Sequence, residues 1–287
     1  MIIMMPTTIV IASERDGVGK STLSVHLAYA FSLMKYQVLV IDLSSDGQVA
    51  TMLGMASGNE LVGLLPDQLQ RVGAVAASSG RKNLDVIRFN HADRGALLRL
   101  SNRYMHTRDL NAKPDPMALG WLGKALVEAP YSLVILDTTY LYSPLYFAAL
   151  ATAHGLLAPC TPNQLASSAA QTCLHTLEEL RNESKSTCEV LGVIPNNIDM
   201  NDEEDVSWLE KFQVSFGELL TQPMPREPLF REAAQRGKTI FEFASPDQHL
   251  QAIYGIQTKG GSVGGFIPLI ERVHAFIREK RGELTQK

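Results

Sequence analysis

Short, uninterrupted apolar runs alternate along this chain with longer stretches in which apolar residues recur every three or four positions. The runs read as strands buried on both faces, and the longer stretches as amphipathic helices. Residues 8–12 open the series as a β-branched strand, and residues 20–34 follow with Leu23, Leu27, Ala30, Phe31 and Met34 at helical spacing. Further strands are predicted at 37–42, 84–89, 132–137, 154–159 and 188–195, and helices at 114–128, 144–153, 163–182 and 203–217. A last helix, 266–281, carries Phe266, Leu269, Ile270, Val273, Phe276 and Ile277 on one stripe with charged residues opposite. This alternation predicts an α/β fold, a mostly parallel twisted sheet with helices on both faces. Residues 55–82 and 90–113 show no clear period. The second of these stretches holds Arg94, Arg99, Arg103, His106 and Arg108 and reads as a surface excursion.

The first strand runs into Ser13-Glu14-Arg15-Asp16-Gly17-Val18-Gly19-Lys20-Ser21-Thr22. Gly19, Lys20 and Ser21 fit the end of a phosphate-binding P-loop, G-x-x-x-x-G-K-[ST], although Glu14 stands where the first glycine belongs. Such a loop offers inward backbone N–H groups, the positive end of the following helix and one ammonium to a polyphosphate. In this reading Lys20 reaches the β- and γ-phosphates, the Ser21 hydroxyl ligates Mg²⁺, and Thr22 sits near the α-phosphate. The strands at 37–42 and 132–137 both end in an acid, Asp42 and Asp137, where P-loop proteins hold Mg²⁺ through water. An Asp that caps the following turn is the plainer reading of either residue alone. The fold expectation narrows to the P-loop NTPase type, with residues 1–287 as one nucleotide-binding domain.

Composition adds bounds and no chemistry. The chain has 287 residues, 45% of them hydrophobic and 20% charged, as in ordinary globular proteins. No stretch approaches the roughly 18 apolar residues of a membrane span. The three cysteines, Cys160, Cys173 and Cys188, lack metal-ligand spacing and suit a reduced cytoplasm, so a cytoplasmic location is expected. His26 and His175 lie on predicted helices and read as packed or surface side chains. The net charge of −4 confines any nucleic-acid binding to a local patch.

The ordered set of motifs resembles the ParA/MinD family of deviant-Walker P-loop ATPases. Arg15 through Thr22 resembles that family's K-G-G-x-G-K-[ST]-[ST], and residues 38–48 resemble hhhhD-x-D-P-Q-G-N. Tyr131 to Thr139 resembles its Walker B strand, and Leu156 to Gln164 its later strand, proline and helix. Asn196 or Asn197 fits an asparagine the family uses at the adenine. Pro225-Arg226 through Glu232-Ala233, Gly237 and Ile240 resembles I-P-R-x(5)-E-A-x-x-x-G-x-x-I, and Lys259-Gly260 the terminal S-K-G-A segment. The resemblance implies an ATP/ADP and Mg²⁺ switch. Two ATP-bound copies would face each other across their P-loops as a homodimer, and a ParB-like or adaptor partner would trigger hydrolysis. It implies nucleotide contacts at Asp16, Gly17, Val18, Gly19, Lys20, Ser21, Thr22, Asn196, Asn197, Pro225 and Arg226. Catalytic roles fall on Lys20, Arg15, Asp42 and Ser44, and metal roles on Ser21, Asp42 and Asp137. The polar C-terminus does not resemble a MinD-type membrane helix. The ParA type, with nonspecific DNA association and hence nucleoid association, is therefore favoured. Basic candidates for DNA are Arg226, Arg231, Arg236, Lys238, Lys259, Arg272, Arg278, Lys280 and Arg281; solvated surface charge explains them equally well.

Departures from the family pattern qualify that expectation. Arg15 replaces the signature lysine, keeping a cation with a bidentate fork. Asp16 replaces a glycine at the dimer contact, and a carboxylate about 5 Å from a phosphate charge costs roughly 3 kcal/mol at an effective dielectric of about 20. Ser44 replaces the acid that orients attacking water, with Asp46 two positions on. Thr138 and Thr139 replace a proline pair, and residues 199–205 are acidic where DNA-binding members often carry an arginine. Phosphate binding is expected to be intact, and hydrolysis slow or partner-dependent. The alternative is a non-hydrolysing regulator or adaptor that acts through protein contacts. A dethiobiotin-synthetase-like ligase also lacks the first loop glycine, but no residues point to its substrate pocket.

Overall fold

The structure is a computed structural model that describes residues 5–44, 46–90, 95, 96, 98–100, 119–139, 143–243, 256–258 and 261–282. Its β-branched first strand, β1 (Thr7–Ile11), is buried at every position, as a central strand covered on both faces should be. The same holds for β2 (Val38–Leu43), β5 (Leu133–Thr138) and β6 (Gly155–Cys160). With β3 (Ala77–Arg81), β4 (Leu84–Ile87) and β7 (Glu189–Pro195) they form a seven-stranded sheet in the order β3-β4-β2-β5-β1-β6-β7. Every neighbouring pair is parallel except β3 and β4. The predicted fold class is therefore the observed one.

Alternation along the strands sends side chains into two cores. Ile9, Ile11, Val38 and Val40 pack with Leu23, Leu27 and Phe31 of α1 (Lys20–Leu33) and with Val273, Phe276 and Ile277 of the last helix, Phe266–Lys280. Val10, Leu39, Ile41, Val134 and Leu136 pack on the other face with Leu122, Phe147 and Leu177. These come from α5 (Trp121–Ala125), α6 (Pro144–Thr152) and α7 (Gln164–Asn182). A third cluster under α8 (Glu203–Phe216) joins Trp208, Phe212 and Phe216 to Val193 and Ala158. Helix starts follow their caps: Ser143 accepts from Tyr146 N with Pro144 at the first position, Asn163 accepts from Ala166 N, and Asp202 accepts from Glu204 N.

Of the two unreadable stretches, 55–82 holds short elements, and most of 90–113 lies outside the described residues. Residues 55–82 contain α3 (Glu60–Leu64), α4 (Val72–Val75) and the antiparallel edge strand β3, after a brief α2 (Gln48–Met52). None is long enough for periodicity to show. The helix expected at 114–128 is, among the described residues, the shorter α5; Glu128 at positive φ (57°) and Pro130 end the segment. Residues 114–118, like Arg94, Arg103, His106, Arg108, Lys259 and Gly260, lie outside the described residues. Beyond α8 the chain forms α9 (Leu229–Gln235), α10 (Ile240–Phe243), a two-stranded ribbon of β8 (Ile256–Thr258) and β9 (Gly261–Val263), and then α11 (Phe266–Lys280). Cys160, Cys173 and Cys188 are buried free thiols, the first two pushed up to about 12 by burial. Among the described residues no helix is long and apolar enough to cross a membrane.

Candidate functional site: a phosphate loop with an adjoining cavity

Parallel strands deliver their carboxyl ends to one edge of the sheet, where α/β proteins bind ligands. There β1 leads into the loop 12–19, and Asp42 and Asp137 stand opposite each other in register on β2 and β5. The loop turns through Gly17 (φ 73°) and Gly19 (φ 94°) before α1 begins at Lys20. A Cβ at Gly19 would lie 2.2 Å from the Asn196 amide nitrogen, so only glycine fits. Asn196 follows β7 and donates from Nδ2 to Val18 O at 2.7 Å, bracing the loop from across the sheet.

Ser21 donates from Oγ to Asp137 Oδ2 at 2.6 Å, and Ser24, three residues on and therefore on the same helix face, donates to Asp137 Oδ1 at 3.0 Å. Asp42 Oδ1 accepts from Ser44 N at 2.9 Å and from Ser44 Oγ at 2.5 Å, while its Oδ2 accepts from Val49 N. Both carboxylates are fully buried. Burial pushes both above the usual carboxylate range, and Asp137 adds repulsion at Asp42. A hydroxyl and two hard carboxylates at the mouth of a phosphate loop suit Mg²⁺, which keeps several waters and takes one or two protein acids together with phosphate oxygens. A divalent cation would also relieve the repulsion between the two acids. Lys20 donates from Nζ to Arg15 O at 2.6 Å, its own pKa lowered chiefly by burial and supported by Asp137 and Asp16.

Two hollows meet at this loop. The smaller, about 250 Å³, is lined by Asp16, Lys20, Ser21, Ser44, Asp46 and Thr139 among others. The larger, about 810 Å³, runs from Gly19 and Thr22 past Asn196, Asn197 and Pro225 to Phe230 and Phe266. Gly17, Gly19, Thr22 and Gln48 line both. A polyphosphate therefore has a charged end and an aromatic-walled end open to it in one continuous site.

The predicted site residues are largely brought together, with informative exceptions. Arg15 lends its carbonyl to Lys20, and its guanidinium has no partner among the described residues. Asp16 folds its carboxylate back onto Gly17 N at 2.8 Å. Ser44 lines the smaller hollow, but its hydroxyl is committed to Asp42. Arg226 lines the larger hollow beside Pro225, yet its guanidinium pairs with Asp205 at 2.6 Å and reaches Asp199 at 3.8 Å. The acidic run at 199–205 is thus accounted for locally: it caps α8, complements its dipole and neutralises Arg226. Among the DNA candidates, Arg231, Arg236 and Lys238 lie exposed on or just after α9, with Arg236 over the Phe243 ring. Arg272 lies apart, on α11 against Gly192 of β7. Lys280 pairs with Glu189, and Arg281 donates to Ser132 O. Sequence reasoning missed Ser24, whose i+3 spacing from Ser21 was a usable signal. It also missed Glu14, which accepts from Tyr146 Oη and Thr176 Oγ1 and so anchors the loop entrance to α6 and α7.

Comparison with known proteins agrees with this geometry. The chromosome-partitioning ATPase Soj of Thermus thermophilus is 28% identical over 248 residues, covering 84% of this chain and 90% of Soj. The cell division protein PomZ of Myxococcus xanthus is 27% identical over 79% of this chain and 69% of PomZ. In fold, the chain resembles the ATP complex of a McdA point variant from Cyanothece, with a TM-score of 0.73 and 19% identity over 97% of both chains. It resembles MinD of Pyrococcus horikoshii with Mg-ADP at a TM-score of 0.72 and 19% identity, over 96% of this chain and 99% of that one. The sequence profile of the CobQ/CobB/MinD/ParA nucleotide binding domain matches residues 9–240, and with the phosphate loop and its paired acids in place, this chain belongs to that family, on its ParA-like P-loop ATPase side.

Proposed function

We propose that this protein is a ParA-like nucleotide switch for DNA partition or intracellular positioning. The observation that supports it most is the continuity of the phosphate loop with the aromatic-walled cavity, which gives triphosphate and base separate seats in one site. Lys20 and the loop amides would bind phosphate oxygens, with the ammonium leaving Arg15 O for the stronger, charge-assisted acceptor. Ser21, with Asp137 and Asp42 behind it, would hold Mg²⁺, which when bound screens the charge between phosphates. Asn196, Asn197 and Pro225 would flank the base. Two ATP-bound copies would pair across their loops, and the exposed cations on α9 and α11 would meet DNA phosphates in a salt-sensitive, sequence-independent way. Hydrolysis awaits a partner in this reading, because the family's water-orienting position holds Ser44, and Asp46, which lines the same hollow, stands two positions on.

The commitment of the Ser44 hydroxyl to Asp42, together with Asp16 at the loop, also favours a second reading: an adaptor that binds nucleotide, does not hydrolyse it and acts through protein contacts. Steady-state ATPase activity and DNA co-sedimentation, each with and without ATP, separate the two. ATP-dependent DNA association supports the switch, and brisk unstimulated turnover contradicts slow hydrolysis. Tight ATP binding with no DNA association under any condition favours the adaptor.

A further inference from the structure

Nothing in the phosphate loop explains how the far wall of the larger cavity is held. That wall is the segment 224–234, with Phe230, Arg231 and Ala234 facing the hollow, continued by α10. Helices of seven and four residues do not persist alone in water, and each buries one residue only, Ala233 in α9 and Ile240 in α10. Phe230, Ala234 and Phe241 rest on the core, and polar side chains reaching out of the body of the fold add to that hold.

Two residues do this. His26, on α1 and fully buried, donates from Nδ1 to Thr22 O at 2.7 Å and accepts at Nε2 from Ile240 N at 2.9 Å. Both partners are backbone groups, so they fix the neutral ring with its proton on Nδ1. Thr22 lines both hollows, so the ring ties the first turn of the phosphate helix to the start of α10. Phe230 and Phe266, both lining the larger cavity, pack against the imidazole with centroids at 4.9 and 5.6 Å. Arg81, from the edge strand β3, grips the same segment from the opposite side. It donates to Glu242 Oε1 at 2.9 Å, to Gly237 O at 2.8 Å and to Leu53 O at 2.8 Å. Glu242 in turn accepts from Thr239 N and Oγ1, closing a capping box on α10. Gly237 then meets Gly54 backbone to backbone, where a Cβ on Gly237 would lie 2.4 Å from the Gly54 Cα.

We infer that His26 and Arg81 are positioning residues that hold the 229–243 segment, whose first part up to Ala234 walls the base side of the nucleotide site, and so set affinity for the nucleoside rather than for the phosphates. This rests on the nucleotide-binding reading above and adds a division of labour to it. The phosphate seat is built from the loop and the acids of β2 and β5, and of its lining it is Thr22 that is linked to α10, through its carbonyl and His26. On the base side, Asn196, Asn197 and Pro225 are held by β7, whereas the α9 wall is tied down by two side chains remote from it in sequence.

The test compares Kd for ATP with Kd for inorganic tripolyphosphate, both with Mg²⁺, in the full chain and in His26→Leu, His26→Gln and Arg81→Gln. Leu keeps the volume and loses both bonds, whereas Gln can still present an acceptor to Ile240 N. Arg81→Gln leaves the buried core untouched. Expected is a loss of about tenfold or more in ATP affinity for His26→Leu and Arg81→Gln, with partial recovery in His26→Gln. Tripolyphosphate affinity stays within about twofold in all three. A parallel loss for both ligands, or a drop in Tm with ATP affinity unchanged, overturns the inference and makes these residues structural only. If the unmodified chain binds neither ligand, the nucleotide reading itself fails, and the inference with it.

Discussion

The two ends of the nucleotide site are built on opposite principles. At the phosphate end every group lies on or beside a central strand. Lys20, Ser21 and Ser24 follow β1 across one short loop, and Asp137 and Asp42 stand near the ends of the next two strands across the sheet. At the base end part of the wall is α9, which with α10 rests on the core through Phe230, Ala234 and Phe241 and is tied to the fold by His26 on one side and Arg81 on the other. The first end is rigid because the sheet is rigid. The second can be loosened without touching the sheet, and this is the end at which a nucleotide switch could be adjusted.

The comparison breaks most completely at Lys20. Replacing it with Ala removes the one ammonium of the phosphate end, and ATP and tripolyphosphate binding should both fall by roughly a hundredfold or more, as isothermal titration would show. Binding by Lys20→Ala at near-normal affinity would remove the phosphate seat from the account. The next effect is on stability at the base end. Burial lowers the pKa of His26 from 6.5 to about 4 in the fold, against nearby Glu242, which favours the charged ring. Between those values the unfolded chain binds the extra proton, so stability is full above about 6.5 and declines as pH falls toward 4, by up to about 3 kcal/mol from this residue. Protonation would turn Nε2 into a donor facing the Ile240 N–H. Urea melts of the chain and of His26→Leu across pH 4–7 measure this; equal pH slopes would contradict it.

Smaller effects sharpen the phosphate end. Ser44→Asp places a second carboxylate beside buried Asp42, in place of the hydroxyl that donates to it. Its cost is a lower Tm, by several degrees, that shrinks with Mg²⁺ and ATP, together with faster hydrolysis. Unchanged turnover would mean that Ser44 does not limit hydrolysis. Asp16→Gly removes an exposed carboxylate from the loop and should strengthen ATP-dependent self-association several-fold, the modest size following from solvent screening. A gain that persists at high salt would point to bulk rather than charge as the obstacle.

The same contrast explains what could be read from the sequence. The six parallel strands, α1 and α6 to α8 were legible because each displays its apolar run or period, whereas β3, β8 and β9 were not read. The phosphate end was legible because it follows strand ends in order. Residues 55–82 and the segment from 217 to 243 were not, since helices of four to seven residues carry no periodic signal. Arg226 shows the harder limit. Its motif points to nucleotide or DNA, whereas its pairing with Asp205 and Asp199 depends on the return of the chain to α8. His26 reads only as a packed or surface side chain, because a buried ring with two backbone partners looks in sequence like any histidine on a helix.

The central claim is a switch in which nucleotide binding at an intact phosphate seat controls self-association. Analytical ultracentrifugation of the full chain with Mg²⁺ and either saturating ATP or saturating ADP tests it most directly. The account predicts dimer with ATP and monomer with ADP, the dimer being lost in Lys20→Ala. The same sedimentation coefficient with both nucleotides, both demonstrably bound, would contradict it.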